Sequence, residues 1–591
     1  MRGLMLLPAF LAVLLTQAPL TTTAERSGWT RTGRYAEVET LCRDFPKAFP
    51  GKVRCETFGT TPEGRPMLAL VASADGTLTP AANAKKNRPV VLFQGGIHSG
   101  EIDGKDAGFW LLRDVLAGKA LPGVLGQVTA VFVPVFNIDG HERFGPNNRP
   151  NQVGPEEMGW RVTAQNLNLN RDYVKADAPE TVALLTFLHA WNPLFYLDLH
   201  VTDGAKFEHD VSLTMEPLYG GPEPMRALGL KLRDALVTGL EAQGHLPVTF
   251  YPSFIQDDDP ATGFTAGIAP PRFSQTYWAV NHRFGMLVET HSWKPYAHRV
   301  KTTRNVLEGA LQYVAANGAA LQAAAKAADA AAEAGQVRQV TLAWDHTQKS
   351  RTIEFRGYAY THETSPVFNQ RVVKYDDTKP QVWKVPFYDE VVPKLTVTLP
   401  TGGYLVPAAH AAWVEPKLRA HGLRFQRLDK TVPAAEVEAF RATEVKFQPQ
   451  SYEGRQGLAA QGAWKREKQA LPAGSLYVPV AQPGVEVVAH LLEPAGPDSL
   501  ITWGFFNNHF ERKEYIEEYV LEPFARELLA KDPAVKAAWE ERLKDAAFAQ
   551  DARARLKFFQ ERHPSYDTRL NLYPVFRLDA PPAGLRPLKS R

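Results

Sequence analysis

Cysteine is almost absent from this 591-residue chain, which has only Cys42 and Cys55. Two thiols cannot build a disulfide framework or a four-thiolate zinc site, and no His or Cys flanks them at finger spacing. In an oxidising compartment they could close a short loop; otherwise they stay as two buried thiols, and the sequence leaves both open. An excess of one charge is also missing. The 67 Lys and Arg against 64 Asp and Glu leave a net charge of +3. Without a dense basic block, nucleic-acid binding has no electrostatic support. The one marked apolar run, Leu4 to Leu15, is too short for a comfortable membrane span. With Arg2 before it and Thr22-Thr23-Ala24 after it, residues 1–24 read as an export signal, a buried N-terminal helix being the alternative. The expected location is secreted or periplasmic, with no membrane span once the signal is removed. No internal repeat is evident.

What is present fits a multidomain globular protein, since this length exceeds one hydrophobic core. In the first half, short apolar strands (Met67–Val71, Pro89–Phe93, Ala130–Phe136, Leu194–Leu199, Val211–Met215, Phe284–Val288) alternate with helix-like stretches. That alternation predicts an α/β domain with a largely parallel or mixed sheet covered on both faces. Ala315–Ala334 reads as an alanine-rich helix with Lys326, Asp329 and Glu333 on a solvated face. Beyond Gly335, β-like runs at 340–344, 352–360, 371–375, 381–385 and 394–399 predict a β-rich accessory domain. Farther on, strands are expected at 476–480 and 485–492, and charged helices over 511–529 and 534–559. The boundaries are set at 25–335, 336–440 and 441–591.

Chemistry concentrates at Gly95-Gly96-Ile97-His98-Ser99-Gly100-Glu101, just after a buried strand and before a helix. Loops at the C-terminal ends of such strands face the ligand crevice. His98 and Glu101, three apart, can aim an imidazole and a carboxylate at one ion. The pair alone is a weak signal among 16 histidines. His200, at the end of the apolar run from Leu194, supplies a third ligand and leaves a zinc corner open for water. Glu289 ends another apolar strand and can serve as general base, or else form a structural salt bridge with Arg283 or His291. Trp160-Arg161 offers a guanidinium for an oxyanion, and Asn170-Arg171 an amide and a guanidinium for a free carboxylate. Singly, each Arg is more often a solvated surface group. His209 is a possible competing ligand disfavoured by the Asp203-Gly204-Ala205 turn. His141, His189, His282, His291 and His298 read as surface or supporting groups.

The ordered set His98-x-x-Glu101, Trp160-Arg161, Asn170-Arg171, His200, Glu289 resembles the zinc carboxypeptidase family typified by pancreatic carboxypeptidase A. Phe58-Gly59-Thr60 with Glu63-Gly64-Arg65, and Asn137-Ile138-Asp139-Gly140, match further turns of that family. The likeness spans about Tyr35 to Val314. It implies an α/β/α sandwich around an eight-stranded mixed sheet and one zinc per chain, held by His98, Glu101 and His200. Glu289 would be base and acid, Arg161 the oxyanion stabiliser, and Asn170 with Arg171 the carboxylate clamp. The whole resembles bacterial secreted members with extra C-terminal domains.

Three departures stand out. Ser99-Gly100 replaces the Ser-Arg of digestive members, removing one subsite cation. Asn168 replaces an Asp two residues before Asn-Arg, where an amide oxygen can still accept an imidazole N–H. No Tyr occupies the stretch that should carry the substrate-capping phenol, so Tyr277 is the nearest candidate and Tyr251 a more distant one. The specificity pocket is expected near Ser274. The substrate is then a peptide or peptide-like molecule cleaved at its C-terminal amide bond. A peptidoglycan stem peptide, an N-acyl amino acid, or a silent peptide- or glycan-binding site are the alternatives. Trp503, Phe505, Phe506, Phe510 and His509 read as an aromatic core, or as a stacking platform.

Overall fold

A computed structural model describes residues 20–202 and 204–586. The apolar run expected to act as an export signal lies outside them. Among the described residues, no helix is long and apolar enough to cross a membrane.

The first half forms one eight-stranded mixed sheet. Its strands are β1 (Val53–Thr60), β2 (Pro66–Ala72), β3 (Val90–Gly95), β4 (Thr129–Val133), β5 (Phe195–Val201), β6 (Val211–Glu216), β7 (Pro247–Val248) and β8 (Phe284–Thr290), in the order β1-β2-β4-β3-β5-β8-β6-β7. The centre, β4-β3-β5-β8, is parallel. β3, β5 and β8 are buried along their whole length, which is why they read as continuous apolar runs. Helices cover both faces. On β1, Cys55 points to the helix Tyr35–Ala48, where it is bridged to Cys42, while Phe58 stacks on Phe187 of the helix Pro179–Trp191.

The alanine-rich stretch is the second half of a 38-residue helix, Tyr296–Glu333. Its predicted solvated charges are tethered: Asp329 pairs with Arg283 and Glu333 with Arg424. The next segments are β-rich. Gln339–His346 pairs with Val391–Thr398, and Arg351–Thr364 forms a long hairpin with Arg371–Tyr388. The predicted strands 371–375 and 381–385 are therefore one strand. This hairpin joins the first domain where Phe387 and Tyr388 pair with Phe264 and Thr265.

The expected boundary at 440 does not stand. It falls inside the strand Val432–Phe447, whose six-stranded sheet also takes Gly403–Val406, Leu458–Leu471 and Leu572–Leu578. Strands from both sides share one core, so no separation occurs there. Residues 485–492, expected as a strand, are a helix. Glu486 and His490, four apart, mark one face at helical spacing, a cue outweighed by the β-branched valines around them. Trp503, Phe506 and Phe510 are buried, with Phe506 against His410 and Trp413 and Trp503 stacked on Tyr452, an aromatic core rather than an open stacking platform.

Candidate active site

Three parallel strands deliver the site. The loop after β3 carries His98 and Glu101, β5 carries His200, and β8 carries Glu289. Register sets His200 directly beside Glu289. Glu101 is the hub. Its Oε1 lies 3.0 Å from His98 Nδ1, and its Oε2 3.0 Å from His200 Nδ1 and 3.1 Å from the Val201 N–H. The donor atoms of His98, Glu101 and His200 all lie within 4.8 Å of one another, and all three residues are buried. Both imidazoles thus turn Nδ1 inward. Behind them, His98 Nε2 donates to Asn168 Oδ1 at 3.1 Å, so the amide fills the supporting role expected of it. His200 Nε2 lies 2.9 Å from Asp198 Oδ2, off the line of a good hydrogen bond.

Electrostatics favour a cation here. Burial holds His98 down to about 4 against the pull of Glu101, leaving a neutral imidazole near pH 7. Burial opposes charge on Glu101, but His98, Arg149 and His200 outweigh it and hold its carboxyl well below the ordinary range. Burial also opposes charge on His200, yet Asp198, Glu101 and Glu289 raise it well above an ordinary imidazole. A point that stabilises positive charge, ringed by two nitrogens and a carboxylate, fits zinc with a corner left open.

Glu289 is buried, and its Oε2 has no hydrogen-bond partner. Burial pushes its carboxyl up to about 8, with His200 opposing. It opens on a cleft of roughly 380 Å³ together with His98, Glu101, Arg161, Asn170 and Arg171. Arg161 stands at the rim, its Nη1 3.6 Å from Glu101 Oε1. Asn170 is buried with its Oδ1 unpartnered. Arg171 lies over the Phe273 ring, 4.4 Å from its centroid.

The structure does not bring Tyr277 to this site. It is fully buried, and its hydroxyl is bound to His421 Nδ1 at 2.8 Å and His189 Nε2 at 3.1 Å. Its chain distance from Glu289 misled, because the short helix Ser274–Ala279 turns the ring into the core. Tyr251, the alternative, and Tyr219 line the cleft instead. Ser274 is buried beneath the cleft, and Gln275 lines it. Glu216 lies at the floor, its carboxyl pushed up to about 8 by burial.

Two contributors carry no sequence signal. Arg149 crosses Gly100 and lies with Nη1 3.0 Å from Glu101 Oε1. A Cβ on Gly100 would sit 2.5 Å from Arg149 Cγ, so the glycine makes room for this cation. Tyr452 reaches Arg171 from 281 residues away. A second convergent group, Asp210, His245 and His298, is closed by its own hydrogen bonds. Asp210 accepts from both imidazoles and the Leu246 N–H, and Asn305 covers the far nitrogen of His245. His209 belongs to neither group, being bound to Leu246 O and the Arg356 N–H.

Comparison with known proteins agrees with this geometry. Residues 38–207 match the family model described as zinc carboxypeptidase. This stretch, under a third of the chain, is similar to the zinc carboxypeptidase family. A curated relative, carboxypeptidase D of Drosophila melanogaster, is 27% identical over 172 residues, 26% of this chain. The match spans only 12% of that relative's length. Among solved structures, carboxypeptidase A from Helicoverpa armigera is 16% identical, covering 50% of this chain and 74% of its own, with a TM-score of 0.35. A metallo-carboxypeptidase from Burkholderia cenocepacia is 17% identical over 47% of this chain and 69% of its own, with a TM-score of 0.34. In this zinc carboxypeptidase-type domain the matched region ends just past His200, so Glu289 stands on the strand register alone.

Proposed function

We propose that the chain is a zinc metallocarboxypeptidase that removes the C-terminal residue of peptides outside the cytoplasm. The observation that carries this is the meeting of the His98, Glu101 and His200 donor atoms beside Glu289, in a cleft that also holds Arg161, Asn170 and Arg171. His98, Glu101 and His200 would hold one zinc ion, which supplies Lewis acidity and makes water acidic enough to attack near neutral pH.

The chain's own groups do the rest. Asn170 and Arg171 grip the terminal carboxylate, a planar pairing for which a guanidinium is suited. Arg161 donates to the scissile carbonyl oxygen as negative charge builds on it. Glu289 takes the proton from the attacking water and passes it to the departing amine. A buried carboxyl with an unpartnered oxygen is well poised to carry a proton both ways. Export, with residues 1–24 as signal, is supported by the bridged Cys42 and Cys55, since such bonds persist in oxidising compartments.

The test is a peptide-library digest by zinc-loaded protein, read by mass spectrometry with metal content measured alongside. Loss of single C-terminal residues, abolished in His98→Ala along with zinc, is expected. Internal cleavage, or full activity of His98→Ala, would overturn the proposal.

A further inference from the structure

The strands Val432–Phe447 and Leu458–Leu471 belong to the C-terminal half, yet the turn between them reaches Arg171, one of the residues lining the cleft. Arg171 Nε donates to the Tyr452 hydroxyl at 2.9 Å and Nη1 to Asn170 O at 2.8 Å, with the Phe273 ring against the guanidinium plane. Nη2 has no protein partner among the described residues. The guanidinium is therefore held on two edges and one face, with a corner left over.

The turn is built to hold that hydroxyl. Tyr452 and Arg455 close it with paired backbone hydrogen bonds of 2.8 and 3.0 Å. Its two central residues, Glu453 and Gly454, both have positive φ, at 50° and 74°. Two-residue hairpin turns with that signature favour Asn or Asp first, so glutamate is an awkward choice for the turn itself. Its side chain has another use: Oε2 accepts the Asn168 N–H at 2.9 Å. Arg455 adds a two-pronged pair with Asp177, both contacts at 2.9 Å, and Tyr452 stacks on Trp503. Backbone strain kept at a site contact points to a role there.

We infer that Tyr452 is a positioning residue for the carboxylate clamp, so the C-terminal half completes the active site rather than merely following it. The inference rests on the carboxypeptidase reading of Arg171. By accepting from Nε, the hydroxyl fixes the angle at which the guanidinium meets a substrate carboxylate. Tyr452 touches neither the scissile bond nor Glu289, so its loss acts on binding.

The experiment uses the full-length protein, a blocked dipeptide and its C-terminal amide. Wild type is expected to prefer the free carboxylate; no preference would overturn the carboxypeptidase reading and this inference together. Given that preference, Tyr452→Phe is expected to raise KM about 10-fold with kcat little changed, since hydrogen bonds to charged groups are among the stronger ones. In an Arg171→Ala background the same change should add nothing. An unaltered KM, or a 10-fold effect that persists without Arg171, overturns the inference. Glu453→Ala, which frees the turn without touching Arg171, is expected to shift KM in the same direction, and a wild-type KM there counts against it.

Discussion

Glutamine at position 289 is the sharpest perturbation of the proposed chemistry. The substitution keeps the shape of the side chain and leaves the His98, Glu101 and His200 donors untouched, but an amide cannot accept and return a proton. A positioned acid–base group contributes about 10²- to 10⁴-fold in rate. At about 1.4 kcal/mol per decade, that is roughly 3 to 5 kcal/mol of barrier. Burial raises the Glu289 carboxyl, and strand register places it beside His200, within reach of the proposed proton transfers. KM should change little, because the proposed carboxylate clamp, Asn170 and Arg171, is untouched. Steady-state hydrolysis of a blocked dipeptide, with zinc measured by mass spectrometry, decides it. A Glu289→Gln enzyme that keeps its zinc and loses less than 10-fold in kcat would refute the assignment.

Three further outcomes follow from the packing. Gly100→Ala sets a methyl 2.5 Å from Arg149 Cγ and 2.9 Å from Gly159 O; an overpacking cost of about 1–3 kcal/mol and weaker zinc retention in a chelator competition are expected, and unchanged melting and zinc affinity would refute it. His282 is held up to about 9 because Asp329 and Glu486 outweigh the effect of its burial. Its stabilisation is complete below the unfolded value of about 6.5 and lost as pH rises through about 9, on the order of 3 kcal/mol; melting curves from pH 6 to 10 should show this fall, and His282→Gln should flatten it. Replacing both Cys42 and Cys55 by Ser removes a cross-link 13 residues apart and should cost about 3 kcal/mol by loop entropy; equal denaturation midpoints would count against it.

The central sheet and the convergence of His98, Glu101 and His200 were legible because both come from local rules. Buried parallel strands are continuous apolar runs, and the residue leaving each run at its C-terminal end faces the crevice: His98 and Glu101 after β3, His200 on β5, Glu289 on β8. Tyr277 failed because chain distance from Glu289 says nothing of which way a short helix turns its ring. The boundary at 440 failed because antiparallel pairing joins Gly403–Val406 to Leu572–Leu578 across 166 residues, and no local pattern encodes a partner so distant. Residues 485–492 failed because three valines outweighed the helical spacing of Glu486 and His490.

The Ser99-Gly100 departure shows how a missing residue can mislead when read alone. In the chain it looks like the loss of a cation. In space, Gly100 is the gap through which Arg149 passes to lie 3.0 Å from Glu101. Arg149 is itself fixed by Gln152 and the Val201 carbonyl, which ties it to the strand bearing His200. A cation therefore does stand here, supplied by a segment about fifty residues on from Gly100 and directed at the carboxylate of Glu101. If that charge keeps Glu101 ionised and aimed, Arg149→Met should weaken zinc binding while leaving KM for the terminal carboxylate nearly unchanged. A raised KM with undiminished zinc affinity would instead put Arg149 back among the groups that touch substrate.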